Sequence, residues 1–354
     1  MTSIDHTRAT VDQLGEFDAI LDARSPSEFA EDHIPGAINC PVLDDQQRIT
    51  IGTLYKQVSP FDARKLGAVM VARNVANHIE TLFADKPKGW TPLVYCWRGG
   101  QRSGAFTHIL REVGWSAKRL QGGYKSWRGH VIEQLNIVPK PLRFTVVAGP
   151  TGSAKTRILE AMQEQGQQVL NLEALAAHKG SVLGDLPGQA QPSQKGFETL
   201  VLEAISRFDP ARTVYVESES KRIGQLRVPD AVFQGIQEGN WLRVQASMEQ
   251  RVQFLLRDYD YFLSGPELEQ QLERLKESCG GETVARWKGL AQAKDFSTLV
   301  AELLAQHYDR FYLRSMNKHA EGASHASFAT DDLSDAGIAA LAKEIASSVR
   351  WQSP

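Results

Sequence analysis

The sequence predicts an α/β protein of two domains, each built on a parallel sheet, with the second becoming mainly helical toward its carboxyl end. Apolar runs bounded by turn residues recur at "FDAILDAR", "LVYCW", "RFTVVAGP", "QQVLNLEAL" and "RTVYVESES", with helical patterns between them. Strand followed by helix, repeated, is the pattern of parallel sheets covered by helices. A length of 354 residues leaves room for two domains, since domains usually run roughly 100 to 200 residues.

The boundary is expected in "NIVPKPLRF", because Pro139 and Pro141 resist both helix and central strand. This divides the chain into residues 1–138 and 139–354. In the first part "SGAFTHILREVG" has the spacing of an amphipathic helix directly after "LVYCW". In the last hundred residues "PELEQQLERLKES" and "FSTLVAELLAQHYDRFY" carry helical periodicity.

A formal charge of -2 gives no global pull toward nucleic acid, so any phosphate-binding surface must come from local clusters of Lys and Arg. The first residues, "MTSIDHTRAT", lack a basic stretch followed by an apolar one, and no apolar run approaches the ~18 residues of a membrane span. A cytoplasmic protein without membrane contact is expected. Three cysteines, Cys40, Cys96 and Cys279, match neither a disulfide framework nor a zinc site. No metal-ligand set is read from the sequence, and no tightly bound cofactor is expected.

Cys96 stands out because "LVYCWRGGQRSGAF" places it between a strand end and a helix start. Unpaired N–H groups and the positive end of the helix dipole collect there and favour a thiolate. Gly99 and Gly100 let the backbone curl into an anion cradle, to which Arg98 or Arg102 adds charge. The chemistry expected is a nucleophilic cysteine that attacks, or carries, a group from an anionic donor.

"DARSPSEFAEDHIPGAIN", "VYCWRGGQRS", the "GW" at Gly114 and Trp115, and "LQGGYKSW" follow one another as the signatures of a rhodanese domain do. The resemblance extends over nearly all of residues 5–130. It implies a small parallel sheet with flanking helices and a Cys96 that carries a persulfide or its selenium counterpart. Asp22, Arg24 and His33 match family positions, yet a structural role is expected for them. Five residues separate Cys96 from Arg102, one more than in ordinary single-domain rhodaneses, so a wider cradle suited to a tetrahedral anion is expected. The same Cys-x5-Arg spacing occurs in rhodanese-like phosphatases, although Tyr95 replaces the His usual there before the Cys, and a phosphatase stays open as an alternative.

"RFTVVAGPTGSAKTRILEAM" reads strand, loop, helix, and its loop is a Walker A arrangement, Gly149-Pro150-Thr151-Gly152-Ser153-Ala154-Lys155-Thr156, with Ala154 where the second glycine belongs. N–H groups from Gly152 to Lys155 wrap a phosphate in such a loop, Lys155 neutralises it, and Thr156 can hold Mg²⁺ or a phosphate oxygen. Because the residue before the lysine can adopt a helical conformation, alanine need not break the loop. "TVYVESES" offers Glu217, with Ser218 and Glu219, as a Walker B candidate. Lys221, Arg222, Arg243, Arg251 and Arg257 follow. A solvated face is the default for each arginine, and an arginine lid or RNA contact the functional alternative; Lys221 and Arg222 join the candidate phosphate-binding set. The long polar stretch "HKGSVLGDLPGQAQPSQKGFE" carries His178, Lys179, Ser181, Gln194 and Lys195, and such loops are more often functional than idle. "DDLSD", residues 331–335, imitates a diphosphate-binding aspartate motif, but helix capping explains it better.

Joined in this order, with "HKGS.LG", "Q..QK.FE" and "HYD..Y.RS" (His307 to Ser315), the two halves resemble the tRNA 2-selenouridine synthase family over essentially the whole chain. The resemblance implies replacement of sulfur by selenium, from selenophosphate, in the wobble 2-thiouridine of certain tRNAs. It also implies geranylation of that sulfur from geranyl diphosphate. The diphosphate is then expected on the loop from Gly149 to Thr156, and selenium on Cys96 as a perselenide between Arg98 and Arg102. Two alternatives from other classes are an ATP-dependent kinase or sulfurtransferase using the phosphate loop, and a binding module in which both loops merely recognise anions.

Overall fold

The structure is a computed structural model describing residues 7–180, 184–186, 188–258, 268–310, 312 and 325–348. The chain forms two compact units, Met1–Leu135 with Pro192–Glu203, and Asn136–Gln191 with Ala204–Pro354. The expected division at 138 lies in a run of turns at 136–141. What the sequence does not disclose is that 192–203 belongs with the first unit. Side-chain contacts account for it: the Ser193 hydroxyl donates to the Glu31 carbonyl at 2.5 Å, Lys195 pairs with the Glu31 carboxylate at 2.7 Å, and Arg128 pairs with Glu198.

In the first unit β1 (Arg8–Ala9), β2 (Ala19–Asp22), β3 (Ile38–Asn39), β4 (Pro92–Tyr95) and β5 (Lys118–Leu120) form one sheet in the order β1-β5-β4-β2-β3. Every pairing is parallel. All of β4 is buried, as an inner strand covered on both faces must be, which is why it reads as an unbroken apolar run. Its helix, Gln101–Val113, ends at Gly114 with φ 105°, and Trp115 then turns into the core, edge-on to Trp90 at 5.1 Å. The "GW" pair is thus a left-handed helix cap followed by a core anchor.

Beneath the loop that follows β4 lies a buried polar network. Arg24 and Asp22 are 1% and 0% exposed and meet at 2.6 Å, while Arg24 also donates to the Asp32 carbonyl at 2.7 Å. The Arg24 guanidinium sits 4.0 Å from the centre of the Tyr124 ring, and the Tyr124 hydroxyl donates to Asp32 at 2.7 Å. The Tyr95 hydroxyl accepts from the Ile34 N–H at 3.2 Å. His33 stacks on Phe29 at 3.8 Å, with Nδ1 2.9 Å from the Phe29 carbonyl. The structural reading of Asp22, Arg24 and His33 therefore has a physical content: each is fully engaged in holding the unit together.

The second unit contains β6 (Arg143–Ala148), β7 (Gln168–Leu170), β8 (Thr213–Glu217), the antiparallel pair β9 (Arg222–Ile223) and β10 (Leu226–Arg227), β11 (Asn240–Ala246) and β12 (His325–Thr330). The main sheet runs β12-β11-β6-β8-β7, again parallel throughout. Helices Lys155–Glu164 and Asp335–Ser348 pack together over it, sharing a core with Val147, Ile158, Ile338 and Leu341. The helical part holds Leu268–Glu273, Lys276–Cys279, Gly281–Gln292 and Phe296–Leu303, gathered around Trp287, which is 0% exposed. Pro266 and Glu267, the start of the expected "PELEQQLERLKES" helix, lie outside the described residues. "DDLSD" is a cap: Asp332 accepts from the Ser334 N–H at 2.8 Å and Ser334 from the Gly337 N–H at 3.2 Å.

Removing one member of a buried ion pair strands the other charge, at about 3–5 kcal/mol. Asp22→Ala is expected to lower the urea midpoint accordingly. Lys65→Ala, which breaks an exposed pair with Asp62, is expected to stay within about 0.5 kcal/mol.

Candidate functional site

In the first unit, β4 ends at Tyr95 and the helix begins at Gln101, so residues 96–100 must reverse within a short loop. The turn at Gly122 and Gly123 clamps that loop. The Tyr124 N–H donates to the Cys96 carbonyl at 2.8 Å and the Lys125 N–H to the Trp97 carbonyl at 3.0 Å. A Cβ on Gly123, where φ is +62°, would lie 2.2 Å from the Cys96 oxygen and 2.5 Å from the Gly99 nitrogen. Only glycine allows two backbones to come this close. Gly99 itself takes φ 64°, which gives the curl expected of the cradle.

Cys96 is buried at 3% exposure, with Sγ 3.1 Å from the hydroxyl of Ser103 in the first turn of the following helix. Arg98 is exposed at the rim and has no side-chain partner among the described residues. Arg102 differs from the expectation that it closes the cradle. It makes a bidentate pair with Glu28, at 2.6 and 3.2 Å, and a fork-on-fork contact of that kind is among the stronger ion pairs. Burial pushes the Glu28 carboxyl up, and Arg102, the Ser25 N–H and Arg48 together more than reverse this, leaving it below its ordinary value. Trp97 lies against Tyr124 at 5.4 Å, and the Lys195 ammonium stands 5.9 Å from the Trp97 ring. Lys195 thus comes to the rim of the cysteine loop from almost a hundred residues downstream, as its segment's membership of this unit requires.

The second unit repeats the strand-to-helix geometry. After β6 the loop 149–154 leads into helix Lys155–Glu164. Ser153 donates to the Pro150 carbonyl at 2.8 Å, and the Lys155 ammonium donates to the Gly149 carbonyl at 2.9 Å. Ala154 departs from the expectation of a right-handed helical residue: its φ and ψ are 58° and 24°, the left-handed region a glycine normally fills. A Cβ on Gly152 would lie 3.1 Å from the Arg251 carbonyl, so the helix Met248–Asp258 runs directly over the loop.

That helix also corrects the reading of Arg251 as a solvated residue. It is 5% exposed, donates from Nε to the Thr151 carbonyl at 2.8 Å, and grips Asp309 at 2.6 and 3.1 Å. Arg257 donates to the Leu333 carbonyl at 2.8 Å. Lys221 pairs with Asp230 at 2.8 Å and Arg222 is exposed on β9. Among the described residues no hydrogen bond or ion pair joins either to the loop.

Three carboxylates gather below Thr156. Its hydroxyl lies 3.3 Å from Glu173 Oε2 and 3.3 Å from Glu217 Oε2. Glu219 completes a set whose ligand atoms all fall within 4.8 Å of one another. Burial pushes Glu217 well above the usual carboxylate range, and Glu173 and Glu219 push it further. Burial, and then Glu173, raise Glu219 to about 8. Glu173 is raised by burial against the opposing pull of Lys155 and Lys179. Glu217 is thus joined by two carboxylates, one of which, Glu173, sequence reading passed over because it opens a helix, Leu172–Ala176, far from any motif.

Comparison with known proteins bears on both halves at once. Residues 142–276 match the family model of the tRNA 2-selenouridine synthase AAA domain, and residues 7–130 that of the rhodanese-like domain. The chain is 31% identical to the tRNA 2-selenouridine synthase of Alcanivorax borkumensis, over 85% of this chain and 90% of that one. It is 33% identical to that of Cupriavidus necator over 82% and 81%. With that of Nitrosomonas europaea it shares 34%, over 68% of this chain and 63% of the relative. The chain belongs to the tRNA 2-selenouridine synthase family.

Within this family member the remaining motif residues have visible duties. Gln191 of "Q..QK.FE" donates to the Ala176 and Ile223 carbonyls, at 3.2 and 3.1 Å, and accepts from the Gln225 N–H at 2.8 Å. His178 accepts the Gly180 N–H on Nδ1 at 3.1 Å, and burial lowers its pKa. Asp309 of "HYD..Y.RS" is the partner of Arg251, while Arg314 and Ser315 lie outside the described residues, as does Ser181. Among the described residues no helix is long and apolar enough to cross a membrane.

The folded pKa of Glu219, about 8 against its ordinary 4.5, means that the native state holds a proton the unfolded chain has lost between those values. Stability of the metal-free protein should therefore fall as pH rises through that window, from about pH 5 to about pH 8. Thermal melts across it should show the slope in the wild type and a shallower one in Glu219→Gln. At the cysteine loop, Gly123→Ala is expected to lower the melting temperature and change the rate at which Cys96 is alkylated. Gly129→Ala, with nothing within 4 Å of its added Cβ, is expected to do neither.

Proposed function

We propose that the chain is a tRNA-modifying selenotransferase of the cytoplasm, replacing the sulfur of wobble 2-thiouridine by selenium from selenophosphate through an S-geranyl intermediate. The observation that carries this reading is the alignment with a protein of that name over 85% of this chain, a span that necessarily contains both Cys96 and Lys155. Each then lies on a strand-to-helix loop whose geometry suits an anion.

Chemistry gives the order of steps. Sulfur on C2 of a pyrimidine is a poor leaving group, whereas its S-alkyl form leaves as a neutral thiol while the ring becomes electrophilic. In the first step the sulfur attacks the geranyl carbon, the C–O bond breaks and diphosphate departs. The loop from Gly149 to Thr156 receives that diphosphate, and Lys155 exchanges its bonds to loop carbonyls for the departing charge. In the second, selenium bonds to C2, geranyl thiol leaves, and water takes the phosphoryl group of selenophosphate. Selenium keeps its oxidation state across this sum, so no external oxidant or reductant enters. Selenium bound to sulfur as a perselenide would require a two-electron oxidant, so Cys96 acts at carbon. Its thiolate adds to C2 as geranyl thiol leaves, and the selenide freed from selenophosphate then displaces it and restores the thiolate. Arg98 is available to the selenophosphate anion, while Arg102 reaches it only by leaving Glu28.

Mass spectrometry of tRNA nucleosides from cells lacking the protein, rescued by wild type, Cys96→Ala or Lys155→Ala, tests the reading. Cys96→Ala should stall at 2-thiouridine or its geranyl form, and Lys155→Ala should leave 2-thiouridine without geranyl. Normal selenouridine in both variants, or nucleotide turnover that requires Lys155 and leaves the nucleosides unchanged, overturns it.

A further inference from the structure

We propose that the helical hairpin of the first unit, Asp45–Gln57 with Pro60–Leu82, is a docking surface for the RNA substrate, with its cations on phosphates and its tip aromatics on unpaired bases. The inference rests on the tRNA reading above and adds to it the place where the RNA is held. Its first support is topological. The Asn74 amide donates to the Val42 carbonyl at 3.0 Å, and His78 Nε2 lies 3.0 Å from the Pro41 carbonyl. Those carbonyls stand just past the carboxyl end of β3, and β4, which runs in the same direction, delivers Cys96 to the same edge. The second helix returns toward the start of β4, so residues 60–73 extend beyond that edge, by about 20 Å at 1.5 Å per residue. The first helix buries none of its residues and packs along this overhang, where a Cβ on Gly67 would meet Ile51 at 3.8 Å. Its Arg48 lies 3.4 Å from Glu28, the carboxylate that also holds Arg102. The hairpin thus rises beside the cysteine loop.

Its surface supplies the second support. At the tip Tyr55, Val58 and Phe61 are 48%, 72% and 71% exposed, and a cluster of large apolar groups left in water marks an interaction site. Lys56, Arg64 and Arg73 are exposed around them, and their side chains make no hydrogen bond or ion pair among the described residues. Arg48 and Lys65, by contrast, are engaged by Glu28 and Asp62. From Asp45 to Leu82 the hairpin carries five Lys and Arg against three Asp and Glu, in a chain whose formal charge is -2. Such a chain draws a polyanion only where its cations are concentrated. Rings interleaved with unpaired cations suit single-stranded nucleic acid: the cations release counterions from phosphates, and the rings stack bases whatever the sequence. A second copy of the chain fits this surface less well. A two-fold contact through Phe61 would set Lys56 and Arg64 against their own counterparts, and interface cores are depleted of charge.

The full chain is titrated into fluorescently labelled tRNA carrying wobble 2-thiouridine, and binding is followed by anisotropy at several salt concentrations. The double variant Lys56→Ala, Arg64→Ala should bind roughly fivefold or more weakly and flatten the dependence of log K on log salt by roughly 1.5. Phe61→Ala should also weaken binding by roughly fivefold or more, through lost stacking, with the salt dependence of the wild type. Lys88→Ala, exposed at the opposite edge of the sheet ahead of β4, should bind as the wild type does. Every substituted side chain is exposed, so all four proteins should share one melting temperature. Wild-type binding left undiminished in both hairpin variants overturns the proposal and spares the tRNA reading, whereas a wild type that binds no tRNA overturns both. A dimer in RNA-free sedimentation that Phe61→Ala turns into a monomer gives the surface to a second copy and overturns the proposal as well.

Discussion

Both loops obey one constraint: a parallel strand delivers the chain to the edge where the next helix begins, so the reversal brings unpaired N–H groups to a fixed place. In the first unit the strand ends at Tyr95 and the helix opens at Gln101; in the second they are Ala148 and Lys155. Neither reversal can be made with ordinary backbone angles. Gly99, Gly123 and Gly152 all take positive φ; at Gly99 and Gly123 another piece of backbone lies within 3.0 Å of where a Cβ would be, and at Gly152 Leu255 and the Arg251 carbonyl crowd it at 3.0 and 3.1 Å. The shape of both loops therefore follows from how closely the chain is folded back, and the charged side chains are added to a shape already set.

Ala154 shows how tight that shape is and how it is tolerated. A left-handed alanine costs roughly 1–2 kcal/mol relative to the right-handed form. Its methyl, however, is buried in a core that includes Val147, Ile158 and Phe254, and a buried methyl contributes about 0.8 kcal/mol. The two effects are of similar size. An alanine can replace the usual glycine here because the cap position before the helix turns its methyl inward, not because the backbone relaxes.

Much of the fold was legible because inner parallel strands are apolar without alternation: all five runs singled out in the sequence, β4 and β6 among them, became strands. Three short strands of the first unit, β1, β3 and β5, escaped notice, since two or three residues carry no periodicity. β11 was hidden because "NWLRVQA" alternates weakly and runs straight into an amphipathic helix. At the sites, Cys96 and Lys155 were legible from local spacing, as was Glu217 from its place after a strand. Arg102 was placed on the right loop, but its pairing with Glu28 depends on a residue more than seventy positions away. Glu173, Arg251 with Asp309, and Lys195 beside Trp97 are products of tertiary packing, and no local pattern announces them.

The two cations on the phosphate loop divide its work by burial. Arg251 is nearly enclosed, its Nε on the Thr151 carbonyl and its remaining nitrogens on Asp309. To leave would strand the enclosed Arg251 charge without its partner, so the loop is fixed from that side. Lys155 is only half-buried and rests on neutral carbonyls. A phosphate oxygen offers it an opposite charge as well as an acceptor, which the neutral carbonyls do not, so it is the cation free to move. The cysteine loop repeats the division: Arg102 is committed to Glu28 while Arg98 stands in solvent without a partner among the described residues. A loop built this way keeps its shape whether or not its mobile cation is engaged, as the proposed transfer from a phosphorylated donor would require.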